Sequence, residues 1–463
     1  MTETVAVLDV GKSNVKLALV DMAGPAVIAS RSMPNRVRTD GPYPHFDLES
    51  LWAWLLAGLR ELSAVRRIDA IATTTHGACF VLLAGDGLAL PALDYEFAGP
   101  ETVAVEYAAM RGGFQETLSP ALPGGLNAGR QLLWLRRAFP DDFGHADTIL
   151  PYPQYWAMRL TGRKVSEVTS FGAHTDLWNP RAATFSRLPV AEGWAERFPA
   201  TVLAWQTVGT VLPGIAALTG LRRDCRVVAG IHDSNAALLP HLLSRPLPFA
   251  VLSTGTWMIT FAPGGGLDRL DPARDCLANV DAFARPVPSA MCMAGREFEM
   301  LTGSDAVTPT PDDVRQVVSA QVMALPSLVA GSGPFGQRSG GWSVDPAGLS
   351  PGMRAAAASL YVALLADTCL RLTGADGPVI VEGPFARNRV FLGALQSIAG
   401  QSVLARAEEG GSVLGSALLA LGGKAAVTVK TEPVAPLAVD LAAYAAEWRR
   451  VAGRGGKSLG PSA

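Results

Sequence analysis

The chain has 463 residues, which is too long for one hydrophobic core and predicts two or three domains. Its apolar fraction of 49% supports large cores, and a formal charge of −2 with an isoelectric point near 6.3 argues against a nucleic-acid surface. Five cysteines without a CxxC pair argue against a disulfide framework or a zinc site and fit reduced core residues in a cytoplasmic protein.

The first residues lead directly into a strand, without a basic segment or an apolar signal core, so we do not expect secretion. The longest apolar helical stretch, residues 355–372, contains Asp367 and Arg371 and is too short and too charged to predict a membrane span. The sequence therefore favours a cytoplasmic location with no membrane partner.

Residues 5–21, VAVLDVGKSNVKLALVD, form the first predicted pair of elements, a strand, a polar turn and a second strand. Such a turn presents amide groups, hydroxyls and the carboxylate of Asp9, which suits a phosphate and a magnesium ion. The GKS segment resembles a P-loop, but Ala6 stands where that motif needs glycine, and no helix follows. An ordinary glycine hairpin is the commoner explanation for a single copy.

The next predicted elements alternate helices and strands. In order they are a helix at 48–64, strands at 68–74 and 80–83 with a GDG turn at 85–87, helices at 98–110 and 130–139, and a strand at 226–231. Between 140 and 213 the patterning is weak and rich in Pro, Trp and Gly, which favours ligand loops. Helices and strands are expected to continue to Gly422, with a frayed end at 458–463.

The segment HDSNA at 232–236 places Asp233 after a strand and before a helix. A carboxylate there could accept a proton from a substrate hydroxyl, as a phosphotransferase requires. The alternative is an ordinary helix cap, which this motif alone favours.

Residues 251–263, VLSTGTWMITFAP, repeat the strand, turn and strand of the first hairpin. When Gly255 is aligned with Gly11, Trp257 corresponds to Ser13. Two further segments contain glycine turns before helices: VIVEGPFARNRVFLGALQSIAG at 379–400 and EEGGSVLGSALLA at 408–420. Tight helix packing explains the second of these about as well as nucleotide contact does.

Taken in order, the DxGxS hairpin, the THG and HDS segments, the STGT hairpin, the EG turn with its Asn and the GxxLGSA helix resemble the FGGY family of carbohydrate kinases, within the actin-like ATPase superfamily. The resemblance covers residues 4–425 and is closest to the rhamnulokinase and fuculokinase branches, through THGACFVLLAGDG and HDSNAA.

The resemblance implies a role for each matching residue. Asp233 would be the catalytic base and would also face the sugar; Asp9 and Asp233 would hold Mg²⁺. The ATP-binding residues would be Gly11, Lys12, Ser13, Asn14, Lys16, Gly255, Thr256, Gly383, Asn388 and Gly411. The sugar would contact His76, Gly77, Asp94 and Tyr95, with Glu96 as an alternative acid. Tyr155, Trp156 and Trp178 could supply an aromatic platform, although such residues are more often core.

The implied fold is α/β, with two actin-like (ribonuclease H-like) domains whose mixed sheets are flanked by helices, and with a cleft between them. We expect a sugar-binding domain at 1–243, a nucleotide-binding domain at 244–425 and a terminal extension at 426–463, with the boundary in the proline-rich segment 240–248.

The implied function is ATP-dependent phosphorylation of a small ketose or polyol, similar to L-rhamnulose, L-fuculose or a pentulose. A homodimer is a possible assembly. Two alternatives stay open: an actin-like ATPase of the chaperone or filament type, and a non-catalytic regulator with this fold. The sequence departs from the family at Arg130, at EGP (382–384) and at Arg296 and Glu297, which leaves the sugar undetermined.

Overall fold

The computed structural model describes residues 3–303, 307–406 and 411–453. These residues form two compact units. The first unit contains residues 3–245, 278–286 and 411–429, and the second contains 246–277, 287–303, 307–406 and 430–453. The expected frayed end at 458–463 and the start of the 408–420 segment lie outside the described residues.

The strands are numbered in chain order. They are β1 (Thr4–Val10), β2 (Asn14–Asp21), β3 (Ala26–Pro34), β4 (Val37–Arg38), β5 (His45–Phe46), β6 (Ala70–Thr75), β7 (Phe80–Ala84), β8 (Gly87–Leu88), β9 (Thr148–Pro151), β10 (Ser166–Glu167), β11 (Trp178–Asn179), β12 (Thr184–Phe185), β13 (Thr201–Val202), β14 (Thr207–Thr210), β15 (Arg226–Val228), β16 (Ile231–His232), β17 (Ala250–Thr254), β18 (Met258–Phe261), β19 (Cys276–Val280), β20 (Pro286–Cys292), β21 (Ala324–Leu325), β22 (Gly341–Trp342), β23 (Val379–Glu382), β24 (Val403–Arg406) and β25 (Glu432–Pro433).

The α-helices are numbered in the same way. They are α1 (Leu48–Val65), α2 (Ala104–Met110), α3 (Phe114–Thr117), α4 (Ala128–Ala138), α5 (Pro140–His145), α6 (Tyr152–Thr161), α7 (Val168–Phe171), α8 (Arg187–Ala191), α9 (Pro213–Thr219), α10 (Asp233–Ser244), α11 (Ala294–Thr302), α12 (Pro311–Ser319), α13 (Pro351–Leu372), α14 (Arg389–Ile398), α15 (Gly411–Leu418) and α16 (Ala442–Gly453).

The main sheet of the first unit has the order β14-β15-β6-β1-β2-β3, with β16 also paired to β6. Strand β2 is antiparallel to both of its neighbours, β1 and β3, and β6 and β15 continue the sheet from β1 in parallel. The sheet is therefore mixed, and its β1 to β2 hairpin is the one that the sequence predicts.

The second unit repeats this arrangement. Strands β20, β18 and β17 are antiparallel, and β23 and β24 follow in parallel. The hairpin β17 to β18 thus occupies the place that β1 to β2 holds in the first unit. This duplicated mixed sheet is the expected actin-like fold, and it confirms that the two hairpin segments of the sequence are structural counterparts.

Helix α1 shows how sequence pattern produces the core of the first unit. Asp47 caps the helix by accepting a hydrogen bond of 3.0 Å from the amide of Ser50. Leucines then recur along one buried face at Leu48, Leu51, Leu55, Leu59 and Leu62. The helix begins at the residue that the sequence predicts and ends one residue later.

Helix α15 belongs to the first unit, although the sequence division assigned residues 244–425 to the second domain. A Cβ atom added to Gly415 would lie 1.7 Å from the carbonyl oxygen of Ala236 in α10, so these two helices approach at backbone distance. The small residues of this segment therefore serve the helix packing that the sequence left as an alternative. The first unit also extends to Arg245, because α10 continues through Pro240.

The middle of the chain is more ordered than its sequence pattern predicts. Residues 140–213 contain the buried strand β9 and the helix α6, both part of the first unit's cores. Trp156, Tyr155 and Trp178 are only 0%, 1% and 9% exposed, so they are core residues and the suggested sugar platform is wrong.

Helix α13 is 22 residues long, and its most apolar 18-residue window is 83% buried inside the protein. Its length and composition alone would permit a membrane span, contrary to the sequence expectation, but its burial is that of a core helix. All five cysteines are buried and free, as expected.

Candidate active site

The turn between β1 and β2 consists of Gly11, Lys12 and Ser13. The Gly11 amide donates a hydrogen bond of 2.9 Å to the carbonyl oxygen of Asn14, which closes the turn. Asn35, which the sequence gave no reason to select, donates to the carbonyl oxygens of Gly11 and Ser13, each at 2.8 Å. These bonds occupy carbonyl groups of the turn and hold its backbone in place.

Asp9 lies at the end of β1, in register with Lys16 on β2 and Thr74 on β6. The pKa of its carboxyl is raised to about 6, mainly by burial and also by the charge of Asp233, against the opposing effects of a hydrogen bond from Ser412 and the charge of Lys16. Ser412 comes from the first turn of α15, at 2.8 Å. Asp9 and Asp233 thus act on each other electrostatically within the first unit.

Lys12, which the sequence predicts to bind phosphate, contacts the segment that is predicted to bind sugar. Its ammonium group pairs with Asp94 and lies 3.2 Å from Glu96. The same nitrogen lies 5.0 Å from the ring centre of Tyr95 and 5.3 Å from that of Phe46. Since its side chain is 19% exposed, two carboxylates and two rings account for most of its surroundings.

His76 follows β6 and is buried among aromatic rings. Its ring centre lies 5.0 to 5.3 Å from those of Phe46, Tyr95 and Tyr152. Its Nδ1 lies 2.9 Å from the Gly77 carbonyl, and its buried Nε2 has no hydrogen-bond partner among the described residues. Burial lowers the pKa of the imidazole, so the ring is neutral and Nε2 is an acceptor in need of a donor.

Asp233 is the first residue of α10, and its two carboxylate oxygens differ in their surroundings. Oδ1 accepts from the amide of Ser234 at 2.6 Å, from the Ser234 hydroxyl at 3.2 Å and from Nε2 of His232 at 3.1 Å. No donor to Oδ2 is found in the part of the chain that the structure describes. Burial opposes the charged form, but His232, His76 and the Ser234 amide together hold the pKa of this carboxyl below its ordinary value. The side chain is 33% exposed, so Oδ2 is available to a ligand.

His174 is a further residue near Asp233 that the sequence motifs do not mark. It has a left-handed backbone with φ of 48°, and its Nδ1 lies 2.8 Å from the Leu126 carbonyl. Burial lowers the pKa of its ring to about 4, and the charges of His232 and Asp233 also act on it. Three of the chain's six histidines, His76, His174 and His232, therefore interact electrostatically with the Asp233 carboxylate.

In the second unit, Gly255, Thr256 and Trp257 form the corresponding three-residue turn. The Gly255 amide donates to the Trp257 carbonyl at 2.8 Å, and a Cβ atom on Gly295 would lie 2.0 Å from the Gly255 carbonyl oxygen. The start of α11 therefore packs directly against this turn. Trp257 is 42% exposed, so the position aligned with Ser13 carries a ring open to a ligand.

Gly383 joins β23 to a short 3₁₀ helix at Pro384–Arg387. Its φ is 81°, and a Cβ atom there would lie 1.9 Å from the carbonyl oxygen of Thr254, so only glycine fits. Asn388 caps α14 through the Phe391 amide at 3.0 Å and donates to the Ser359 hydroxyl at 3.0 Å. Both ends of its amide are therefore used inside the protein.

A pocket of about 760 Å³ adjoins this turn within the second unit. Its lining includes Pro384, Asn388 and Ser359, together with the apolar residues Phe298 and Val390. Pockets of this size and apolar character accommodate flat, drug-sized ligands. The segment that follows Gly383 thus lines a pocket through Pro384 and Asn388, whereas a Cβ atom added to Gly411 would lie 3.2 Å from the Cβ of Ala237 in the first unit.

Comparison with known proteins agrees with this architecture. A model of the FGGY carbohydrate kinase C-terminal domain matches residues 246–429, and a model of the N-terminal domain of the FGGY family of carbohydrate kinases matches residues 111–240. The crystal structure of a carbohydrate kinase from Novosphingobium aromaticivorans is 39% identical, with a TM-score of 0.90 over 96% of this chain and 100% of that one. The chain belongs to the FGGY family of carbohydrate kinases.

Curated FGGY-type relatives are more distant. L-fuculokinase from Escherichia coli K12 is 27% identical over 278 residues, and a probable L-xylulose kinase from Pasteurella multocida is 26% identical over 267 residues. The matched part spans 58% and 54% of the length of these relatives. A xylulose kinase from Rhodospirillum rubrum, 20% identical, shares the fold with a TM-score of 0.74 over 98% of this chain and 97% of that one.

Glu297, a departure from the FGGY pattern, has a structural role. Its buried carboxylate accepts hydrogen bonds from the amides of Leu328 and Val329 at 2.8 and 2.9 Å, and from the hydroxyls of Ser327 and Tyr361. It therefore fixes the 327–329 segment against α11 and α13. Its neighbour Arg296 pairs with Glu299 at 3.3 Å on the surface.

The first unit contains donors suited to the magnesium ion that the FGGY family implies. Asp9 and Asp233 are carboxylates whose charges repel each other, and burial disfavours the charge of Asp9. A cation would relieve both effects. Within the described residues no group of three or more His, Cys, Asp or Glu side chains could hold a metal. The two carboxylates fit Mg²⁺, because this ion is commonly bound by one or two carboxylates with substrate phosphates and water.

Proposed function

We propose that the protein transfers the terminal phosphoryl group of ATP to a hydroxyl group of a small neutral ketose or polyol, with Asp233 as the general base. The observation that carries this proposal is the asymmetry of the Asp233 carboxylate. Oδ1 accepts three hydrogen bonds, whereas Oδ2 is free to accept the proton of an attacking hydroxyl.

A neutral sugar is supported by the charges around this carboxylate. The Lys12 ammonium is already paired with Asp94 and Glu96, and His76 and His174 have lowered pKa values that keep their rings uncharged near pH 7. A sugar acid would bring a further negative charge to a site that already has Asp233. Hydroxyl groups, in contrast, can donate to the orphaned Nε2 of His76.

The relatives suggest which sugars to test first. L-fuculokinase and the probable L-xylulose kinase are named for ketoses with a terminal hydroxyl group, and the rhamnulokinase resemblance adds L-rhamnulose. In our proposal the sugar contacts His76, Gly77, Asp94 and Tyr95. Lys12, which pairs with Asp94, belongs to the same sugar-binding group. Removal of the hydroxyl proton by Asp233 makes the oxygen a better nucleophile as it meets the phosphorus.

For the nucleotide, we propose that the phosphates of ATP bind Gly11, Ser13 and Asn14 with Lys16 on the first turn, and Gly255 with Thr256 on the second. The pocket beside Gly383 and Asn388 would take the adenosine, and Gly411 would serve mainly by bringing Ser412 to Asp9. Mg²⁺ held by Asp9, whose buried carboxylate also interacts electrostatically with Asp233, would neutralise phosphate charge during transfer. The chain's own contribution is to hold the turns rigid and to keep Asp233 ionised.

The test is a substrate panel that measures ADP release with ketoses, polyols and the matching aldonic acids. We expect a neutral sugar to stimulate turnover and the acids to fail. Asp233→Asn should lower kcat by about 10²- to 10⁴-fold, the usual range for a general base. Asp86→Asn, at a 95% exposed carboxylate, is the matched control and should behave as wild type. Absence of any sugar-stimulated turnover by the wild-type protein would refute the proposal.

A further inference from the structure

Asn235 lies on α10, three residues after His232, and its side chain is directed at the ring of that histidine. Its amide nitrogen Nδ2 lies 3.4 Å from Nδ1 of His232, and the opposite ring nitrogen, Nε2, lies 3.1 Å from Oδ1 of Asp233. Asn235 is 1% exposed and His232 is 6% exposed, so water has little access to this line of contacts.

The donor and acceptor roles follow from chemistry. The amide nitrogen of asparagine only donates, so Nδ1 of His232 must accept and the ring proton must be on Nε2. That proton points at the Asp233 carboxylate. A reversed amide would require the proton on Nδ1, and a neutral ring would then turn a lone pair toward a carboxylate, which is repulsive.

The position of the His232 ring is fixed separately from its proton. The His232 amide donates to the Thr169 hydroxyl at 3.0 Å, and a Cβ atom added to Gly77 would lie 2.8 Å from Nε2. The backbone of Gly77 therefore limits movement of the ring on that side. Asn235 contacts the other ring nitrogen, and its amide donor favours the same tautomer as the Asp233 carboxylate, with the proton on Nε2.

We propose that Asn235 is a positioning residue that sets the tautomer of His232, so that Nε2–H holds Oδ1 of Asp233 and Oδ2 faces the substrate. This inference rests on the proposed function, since it assigns the proton-accepting oxygen of the proposed base. Asn235 touches no substrate itself and acts through His232. Its loss should lower kcat more than it changes the KM for sugar, because Asp94, Tyr95 and His76 still hold the sugar.

The experiment is a double-mutant cycle on the full-length protein with the best sugar from the panel. Asn235→Asp keeps the shape of the side chain, but its carboxylate accepts a hydrogen bond from Nδ1–H where the asparagine amide donates one to Nδ1. Asn235→Leu removes the donor without adding charge. Either change should lower kcat by about 10- to 100-fold, the range for residues that orient a functional group, with the KM for sugar within about twofold of wild type.

His232→Gln supplies the matched background. Glutamine can place an N–H group near the position of Nε2 and has no tautomer, so in this variant Asn235→Leu should change kcat by less than about twofold. Equal losses in both backgrounds, or a rise in the KM for sugar that matches the fall in kcat, would overturn the proposal, as would wild-type kcat in Asn235→Asp.

A second readout separates this inference from the proposed function. Nitrogen NMR of the protein labelled only in histidine should show His232 protonated at Nε2 in the wild type and at Nδ1, or at both nitrogens, in Asn235→Asp. An Nδ1 proton in the wild type would overturn the role of Asn235 whatever the activity. If no sugar stimulates the wild type, the proposed function fails, and the NMR result still decides the tautomer.

Discussion

The hydroxyl group of Ser412 donates a hydrogen bond of 2.8 Å to Oδ2 of Asp9, although 403 positions separate the two residues in the chain. The contact exists because the small residues of α15 allow that helix to approach α10 at backbone distance. It favours the charged form of a carboxylate whose burial favours the neutral form. Helix α15, to which the sequence gave nucleotide contact as one explanation, therefore lowers the pKa of Asp9, the proposed magnesium ligand.

Ser412→Ala should weaken magnesium binding most strongly at low pH. Loss of the hydrogen bond raises the Asp9 pKa further above about 6, so less of the carboxylate is ionised at pH 6.5, whereas at pH 8 it is ionised in both proteins. We expect the magnesium concentration for half-maximal turnover to rise about 3- to 10-fold at pH 6.5, as for a hydrogen bond to a charged group worth about 1.5–2 kcal/mol, and to change little at pH 8.

Ser416→Ala, on the same helix and with no hydrogen-bond partner for its buried hydroxyl among the described residues, is the control and should leave the magnesium requirement unchanged. An equal effect of Ser412→Ala at both pH values would show that the serine acts through packing and not through the charge of Asp9.

Lys12→Met should raise the KM for sugar and leave the KM for ATP nearly unchanged. The substitution leaves Asp94 and Glu96 without their cation, so the segment that presents Tyr95 loses its charged anchor. We expect about a tenfold rise in the KM for sugar, equivalent to about 1.4 kcal/mol. A rise confined to the KM for ATP would instead favour the phosphate role that the motif predicts for Lys12. Initial rates at varied sugar and ATP concentrations distinguish the two.

Much of the fold follows from local pattern. The hairpin β1 to β2 and the helix α1 are continuous segments whose periodicity and caps determine them, so the sequence predicts them within a few residues. The predicted strand at 226–231 is instead two short strands, β15 and β16, interrupted at residues 229–230. The second hairpin is likewise predicted, because the two turns have the same length and the same glycine position.

The features that the sequence does not show share a physical cause, because they depend on contacts between distant segments. Lys12 lies in a phosphate-type turn, yet its partners are 82 and more positions away in the chain. Asn35 and His174 follow no motif and gain their roles only from where the chain folds back. The sequence places Trp156 in a ligand loop because its segment lacks clear periodicity. In the structure it lies on α6, a helix that is buried on nearly every face and therefore has no polar face to mark it.

Gly383→Ala should destabilise the protein more than Gly400→Ala, although both glycines have a left-handed backbone. The φ angles are 81° and 71°, but an added Cβ atom would lie 1.9 Å from the Thr254 carbonyl oxygen at Gly383 and would meet nothing within 4 Å at Gly400. We expect Gly400→Ala to cost about 1–2 kcal/mol from backbone strain alone, and Gly383→Ala to cost more because strands β17 and β23 must separate. Urea unfolding measures both, and equal losses would exclude the collision as a cause.

Glu167→Gln should change how stability depends on pH. Burial raises the pKa of this carboxyl from 4.5 to about 8, although the Thr169 amide and hydroxyl donate to it. Between these values the unfolded chain is ionised while the folded protein keeps the proton, so this residue's contribution to stability is complete below pH 4.5 and is lost as pH rises toward 8. Glutamine has no such proton. As the pH rises from 5.5 to 7.5, the unfolding free energy of the wild type should therefore fall relative to that of Glu167→Gln, by up to about 1.4 kcal/mol per pH unit. Urea unfolding of both proteins at pH 5.5, 6.5 and 7.5 measures this difference. Glu61→Gln, at a 66% exposed carboxylate in the same unit, should show no such shift, and parallel curves for wild type and Glu167→Gln would mean that Glu167 is ionised in the folded protein.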